Sequence, residues 1–115
     1  MADENHTPQD SIDSDLVREN ASFTDIVVQF VEGLDKRLKT MEDAIRASEF
    51  EALRAAAHQL KGSGGGYGYP ILSERAAELE RHAKARALDD CVHAFGDLKS
   101  LCEHVVVSTD TAKGE

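Results

Sequence analysis

Four stretches of this chain repeat apolar residues at alternating intervals of three and four, and this spacing constrains the fold most. An α-helix makes one turn every 3.6 residues, so residues at such intervals form one stripe along a helix. The stripes are Val27, Val31, Leu34, Leu38, Met41 and Ile45; Phe50, Leu53, Ala57, Leu60, Gly64 and Tyr67; Leu72, Ala76, Leu79 and Ala83; and Leu88, Cys91, Phe95, Leu98, Cys102 and Val105. Four amphipathic helices with short connections predict an all-α, antiparallel up-down four-helix bundle.

Short local patterns predict where these helices begin. Ser22 with Asp25, and Ser48 with Glu51, have the spacing of capping boxes and predict the starts of the first two helices. The first helix is expected to run unbroken over residues 22–48. Pro70 suits the first position of the third helix, where its missing N–H leaves no bond unmade. The last helix is predicted to start at residue 89 or 90.

The chain has 115 residues, which is enough for one domain with a modest core. We expect residues 11–107 to form the helical domain, between a disordered tail at residues 1–10 and a frayed tail at residues 108–115. A short extra helix is predicted within residues 11–20.

The composition excludes several classes of function. The formal net charge of −9 disfavours binding to nucleic acid, which needs a basic surface, and binding to an anionic membrane. The polar, acidic start of the chain has no signal-peptide pattern, and no segment is apolar enough to span a membrane, so we expect a cytoplasmic protein. Cys91 and Cys102 lie eleven positions apart on one predicted helix, which suits neither a disulfide nor a metal site.

The segment "AHQLKGSGGGYG" at residues 57–68 carries the candidate chemistry. His58 lies about 130° around the helix from the centre of the apolar stripe, so its imidazole is predicted to point outward. Arg54 and Lys61 precede and follow it by one turn, while Gly62 and Gly65 lie further along the same side. An exposed imidazole beside a lysine suits the acceptance of a phosphoryl group, and glycines leave room for the donor to approach.

A structural explanation of the glycines is also open. A helix end and turn before Pro70 would account for Gly68, but less well for Gly62 and Gly64 if the helix continues to Tyr67. A nucleotide-binding loop would need lysine after the glycines, whereas here the lysine comes before them.

"AHQLKGSGGGYG" resembles the H-x-L-K-G-S/A signature of histidine phosphotransfer (HPt) domains, the phosphorelay modules of two-component signalling. The resemblance extends over about residues 22–107. It implies that His58 accepts the phosphoryl group, that Lys61 gives electrostatic support and that Gly62 gives a partner access. Arg54, Ser63 and Gly65 are further candidates for the partner-facing surface.

The resemblance also points to Glu80, which stands 22 positions after His58. In many family members the side chain at this position hydrogen-bonds the imidazole, and a carboxylate there would leave Nε2 as the nucleophile. The alternative is an ordinary solvated glutamate that pairs with Lys84 one turn later.

The function implied is that of a monomeric phosphocarrier without ATP-dependent kinase activity. Its partners would be a sensor histidine kinase and response-regulator receiver domains. It would need no cofactor or metal of its own, and Mg²⁺ would belong to the receiver. Two alternatives stay open. One is an unphosphorylated adaptor or inhibitor of a kinase or receiver; the other is a dimerisation module that exposes the stripe from Val27 to Ile45.

Overall fold

The structure is a computed structural model that describes residues 11–107, so the predictions for the two tails lie outside the described residues. The helices are α1 (Asp15–Glu19), α2 (Thr24–Glu32), α3 (Leu34–Arg46), α4 (Phe50–Gly66), α5 (Pro70–Lys84) and α6 (Leu88–Cys102). A 3₁₀ turn over Ala21–Phe23 separates α1 from α2. The short extra helix predicted near the N-terminus is α1.

The helices α3 to α6 form the bundle. Each packs against the next along the chain, and α6 packs back against α3. Their apolar stripes meet in one core, whose fully buried side chains include Met41, Leu53, Leu60, Leu72, Leu79 and Leu98, and Val27 of α2 is buried in the same core. The predicted all-α bundle is confirmed. The stripe from Val27 to Ile45 packs into this core and therefore offers no free seam for dimerisation.

Three of the helices end in the same way, with a Schellman motif. At the end of α3 the N–H of Glu49 bonds the carbonyl of Ala44, and the N–H of Ser48 bonds that of Ile45. The same pair of bonds closes α4 around Gly68 and α5 around Arg86. The residue at the turn has a positive φ each time: 55° at Ser48, 94° at Gly68 and 57° at Arg86. Each of these turns lies within a connection of three residues, and such short connections make successive helices run antiparallel.

This ending makes the predicted capping box at Ser48 wrong. Ser48 closes α3 with a left-handed backbone, so it cannot also take the extended conformation of a helix N-cap. Glu49 occupies the N-cap position of α4, and no side chain caps that end.

The start of the bundle differs from the prediction in two ways. The predicted single helix over residues 22–48 is interrupted at Gly33, whose low helix propensity helps to separate α2 from α3. Ser22 lies inside the 3₁₀ turn rather than at a cap. Asn20 caps this turn, because its side-chain oxygen accepts a hydrogen bond from the N–H of Ser22. The break lets α2 place the ring of Phe30 against Tyr67, with centroids 4.6 Å apart.

The last helix begins at Leu88, slightly earlier than predicted. Leu88 itself is 41% exposed, so its assignment to the apolar stripe is wrong. It is the first residue of α6, and the stripe turns into the core only from Cys91 onward.

The N-terminal segment ties the two ends of the domain together. Ile12 forms an isolated parallel bridge with Val105, and the Ser14 hydroxyl donates to the carbonyl of Tyr67. The Tyr69 hydroxyl donates to the carbonyl of Val106 at 2.6 Å. These bonds hold the turn after α4 and the N-terminal segment against the residues that directly follow α6.

Gly64 lets α4 and α5 approach closely. A Cβ built there would lie 2.9 Å from the Leu72 Cβ and 3.1 Å from the Ser73 nitrogen. Gly64→Ala should therefore lower the free energy of unfolding by about 1–3 kcal/mol, as overpacking usually does. Denaturant unfolding would measure it against Gly66→Ala, where a Cβ meets nothing within 4 Å. Equal stability of the two variants would contradict this close packing.

Candidate functional site

His58 lies in the middle of α4, on the side that faces away from the core. The core positions of α4, among them Leu53, Ala57 and Leu60, point inward, and the His58 side chain is 61% exposed. The structure therefore agrees with the orientation that the helical spacing predicts for the imidazole.

A buried carboxylate from the neighbouring helix holds one edge of the ring. Glu80 of α5 is only 5% exposed, and its Oε2 lies 3.0 Å from Nδ1 of His58. Its other oxygen, Oε1, lies 2.7 Å from Nζ of Lys61. The alternative of a solvated Glu80 that pairs with Lys84 is wrong. Instead, Glu80 connects the two polar side chains that the motif places one turn apart.

The electrostatics of this trio explain how a carboxylate is tolerated there. An isolated buried carboxylate is costly, but hydrogen bonds from cationic or N–H donors offset the loss of water. The hydrogen bond from Lys61, supported by that from His58, holds the pKa of Glu80 below its ordinary value of 4.5, although burial acts in the opposite direction. Glu80 is therefore ionised at neutral pH and accepts a hydrogen bond from Nδ1–H.

The lowered pKa of Glu80 predicts a pH-dependent part of the stability. A carboxyl group whose pKa is lower in the folded state stabilises the protein fully above its unfolded value of 4.5. That contribution is lost as the pH falls through the still lower folded value. The difference in unfolding free energy between the wild type and Glu80→Gln should thus shrink from about pH 7 to about pH 4. Denaturant titrations at the two pH values would measure it, and an unchanged difference would contradict the prediction.

The glycines beyond His58 fall into two groups. A Cβ at Gly62 would meet nothing within 4 Å, so no packing among residues 11–107 requires a glycine there. A Cβ at Gly65 would lie 3.2 Å from the Ser73 hydroxyl, so this glycine faces α5. Gly62 is open to a partner, whereas contact between the helices already accounts for Gly65.

The remaining two candidates contact their own helix. Arg54 donates from Nε to Glu51 at 3.0 Å, one turn before His58. The Ser63 hydroxyl donates to the Gln59 carbonyl at 2.8 Å. Ser63 nevertheless borders the open hollow beside His58, whereas Arg54 does not line it.

Two residues near the site were missed in the sequence. The Ser73 hydroxyl donates to the Lys61 carbonyl and accepts from the N–H of Gly65 at 2.7 Å, so it fixes α4 to α5 beneath the site. Arg37 of α3 lines the hollow beside His58. Its place between the core positions Leu34 and Leu38 was a signal that it lies at the edge of the stripe, towards a neighbouring helix.

Two classes of site are not found within residues 11–107. No group of three or more His, Cys, Asp or Glu side chains in this range could hold a metal ion. No helix in the described part of the chain is long and apolar enough to cross a membrane.

A helical bundle in which an exposed imidazole contacts a buried carboxylate has the architecture of a histidine-based phosphocarrier. The Hpt domain family model matches residues 25–107, and the chain belongs to this family. Hpt domains are phosphotransfer modules of two-component phosphorelays; they interact with receiver domains and histidine kinases and are carriers rather than kinases. No curated protein and no solved structure gives a significant match.

Proposed function

We propose that this chain carries a phosphoryl group on Nε2 of His58. The donor is the phosphorylated aspartate of a receiver domain, or a histidine kinase, and the acceptor is the aspartate of a response regulator.

The observation that carries the proposal is the contact between Glu80 and Nδ1 of His58 at 3.0 Å. When Nδ1–H donates a hydrogen bond to the carboxylate, Nδ1 carries the ring proton and Nε2 keeps its lone pair. Nε2 has no hydrogen-bond partner among residues 11–107, and the side chain is 61% exposed. A nucleophilic nitrogen is thus directed to where a partner can dock.

The transfer step is an in-line displacement at phosphorus. The lone pair of Nε2 forms the N–P bond while the bond from phosphorus to the aspartate oxygen breaks, and the aspartate leaves as a carboxylate. The ring gains positive charge as the bond forms, and ionised Glu80 stabilises that charge through Nδ1–H. The reverse displacement delivers the group to the next aspartate.

Lys61 has two roles in this proposal, one toward Glu80 and one toward the phosphoryl group. Its ammonium group bonds Glu80 at 2.7 Å and so helps to keep that carboxylate ionised. The side chain is 40% exposed, which leaves it able to face incoming charge as well.

The proposal includes no cofactor or metal of this chain's own. Mg²⁺ would act in the acidic pocket of the receiver, where it neutralises the phosphoryl oxygens. A cytoplasmic location, a monomeric state and the absence of ATP-dependent kinase activity remain predictions from the sequence.

The test is phosphotransfer from radiolabelled, phosphorylated receiver domains to the intact chain. The label should be acid-labile and base-stable, as expected for phosphohistidine, and phosphorus–nitrogen coupling in NMR should place it on Nε2. If receivers and kinases bind the chain but none transfers label, the proposal is wrong and the adaptor alternative replaces it.

A further inference from the structure

An open hollow of about 450 Å³ lies directly beside His58. Four of its five lining residues, His58, Gln59, Gly62 and Ser63, belong to α4. The fifth, Arg37, comes from α3, so the hollow lies on the α3 side of α4. Glu80 holds the ring from α5.

The two ring nitrogens of His58 therefore have different contacts. Nδ1 contacts Glu80 on α5 at 3.0 Å, whereas Nε2 has no hydrogen-bond partner within residues 11–107. His58 and Arg37 line the same hollow, so a phosphoryl group on Nε2 that occupies the hollow would lie beside Arg37.

The guanidinium group of Arg37 packs against an aromatic ring rather than against an acid. Its guanidinium carbon lies 5.7 Å from the centre of the Phe30 ring, a cation–π arrangement. Phe30 in turn stacks on Tyr67, with an angle of 14° between the rings. This support orients the guanidinium group and leaves its N–H donors free of any carboxylate within residues 11–107.

The other cations near His58 are already paired. Lys61 bonds Glu80, and Arg54 bonds Glu51. Of the three, Arg37 is the one without an acidic partner in the part of the chain that the structure describes. A preoriented guanidinium group with free N–H donors binds the oxygens of a phosphoryl group more favourably than a cation that must first break its ion pair.

We propose that Arg37 binds the oxygens of the phosphoryl group as it passes between its donor and Nε2 of His58. The inference rests on the proposed function and adds a third helix, α3, to the site. Charge-assisted hydrogen bonds that are made as the group is transferred raise the rate of transfer.

The experiment compares Arg37→Ala with Arg46→Ala, a variant of the same helix and the same charge change. Arg46 is 72% exposed and pairs with Glu42, and it does not line the hollow. Each intact chain is phosphorylated by a phosphorylated receiver domain and, separately, by phosphoramidate. In phosphoramidate the N–P bond breaks and ammonia leaves, and this small donor needs no docking surface. Circular dichroism and thermal unfolding verify that both variants fold.

Arg37→Ala should be about 10- to 100-fold slower than wild type with both donors, and Arg46→Ala should stay within about two-fold. Phosphorus NMR should also show that the pKa of the phosphoryl group on His58 is higher in Arg37→Ala, because a nearby positive charge is gone. Slower transfer from the receiver alone would make Arg37 a docking residue and overturn the inference. Rates equal to those of Arg46→Ala with both donors would overturn it too. If the wild type is phosphorylated by neither donor, the proposed function itself is overturned.

Discussion

His58→Gln should reduce phosphoryl acceptance to background. Glutamine has no nucleophilic nitrogen, because the lone pair of its amide is delocalised into the carbonyl. The replaced side chain is 61% exposed and lies in the middle of α4, where glutamine is well tolerated, so the bundle should keep its stability. The measurement is the acid-labile label on the chain after incubation with a phosphorylated receiver.

The matched control for this variant is His93→Gln. His93 is an exposed histidine of α6, a helix that lies across the bundle from α4. His93→Gln should accept label at the wild-type rate. Label that persists in His58→Gln would move the acceptor to another residue, and loss of label in both variants would show that the effect is not specific to His58.

Gly62→Gln should have opposite effects on stability and on transfer. A Cβ at Gly62 meets nothing within 4 Å, so a better helix former there should raise the free energy of unfolding by about 0.5 kcal/mol. The new side chain would stand one turn from His58, on the surface that the donor must approach. Displacement of the donor by about 1 Å is enough to cost about 100-fold in rate.

Gly96→Gln is the control for this second variant. Gly96 also lies inside a helix with open space around its Cα, but on α6. It should show a similar gain in stability and no loss of transfer. Denaturant unfolding and the rate of labelling measure the two effects. Unchanged transfer in Gly62→Gln would show that this glycine is not needed for access.

Much of the fold follows from the spacing of apolar residues. A stripe every three or four residues can be buried only if the segment is helical and packs against others, so α3 to α6 and their core positions were predictable. The interruption at Gly33 and the exposure of Leu88 were not. Both depend on where a residue lies relative to its neighbours in space, and a periodic pattern in the sequence gives no information about that position.

The ends of the helices show a second limit of local patterns. Ser48 and Glu51 have the spacing of a capping box, yet Ser48 is used to close the preceding helix. Of the three Schellman turns, only the one at Gly68 has the residue type that usually marks this motif. Only one residue separates each such turn from the next helix. A residue that closes one helix with a left-handed backbone, as Ser48 does, therefore cannot also be the N-cap of the next.

The candidate site divides in the same way. Helical spacing alone places His58 on the outer side of a helix, beside Lys61 and near Gly62, because these positions belong to one helix with a fixed geometry. The resemblance to phosphotransfer domains pointed to Glu80. The packing of the helices buries Glu80, brings it into contact with both His58 and Lys61, and places Arg37 at the hollow beside the ring. Those contacts join residues of α3, α4 and α5, and the packing of helices sets the distances between them, whereas local periodicity sets only the face of each helix.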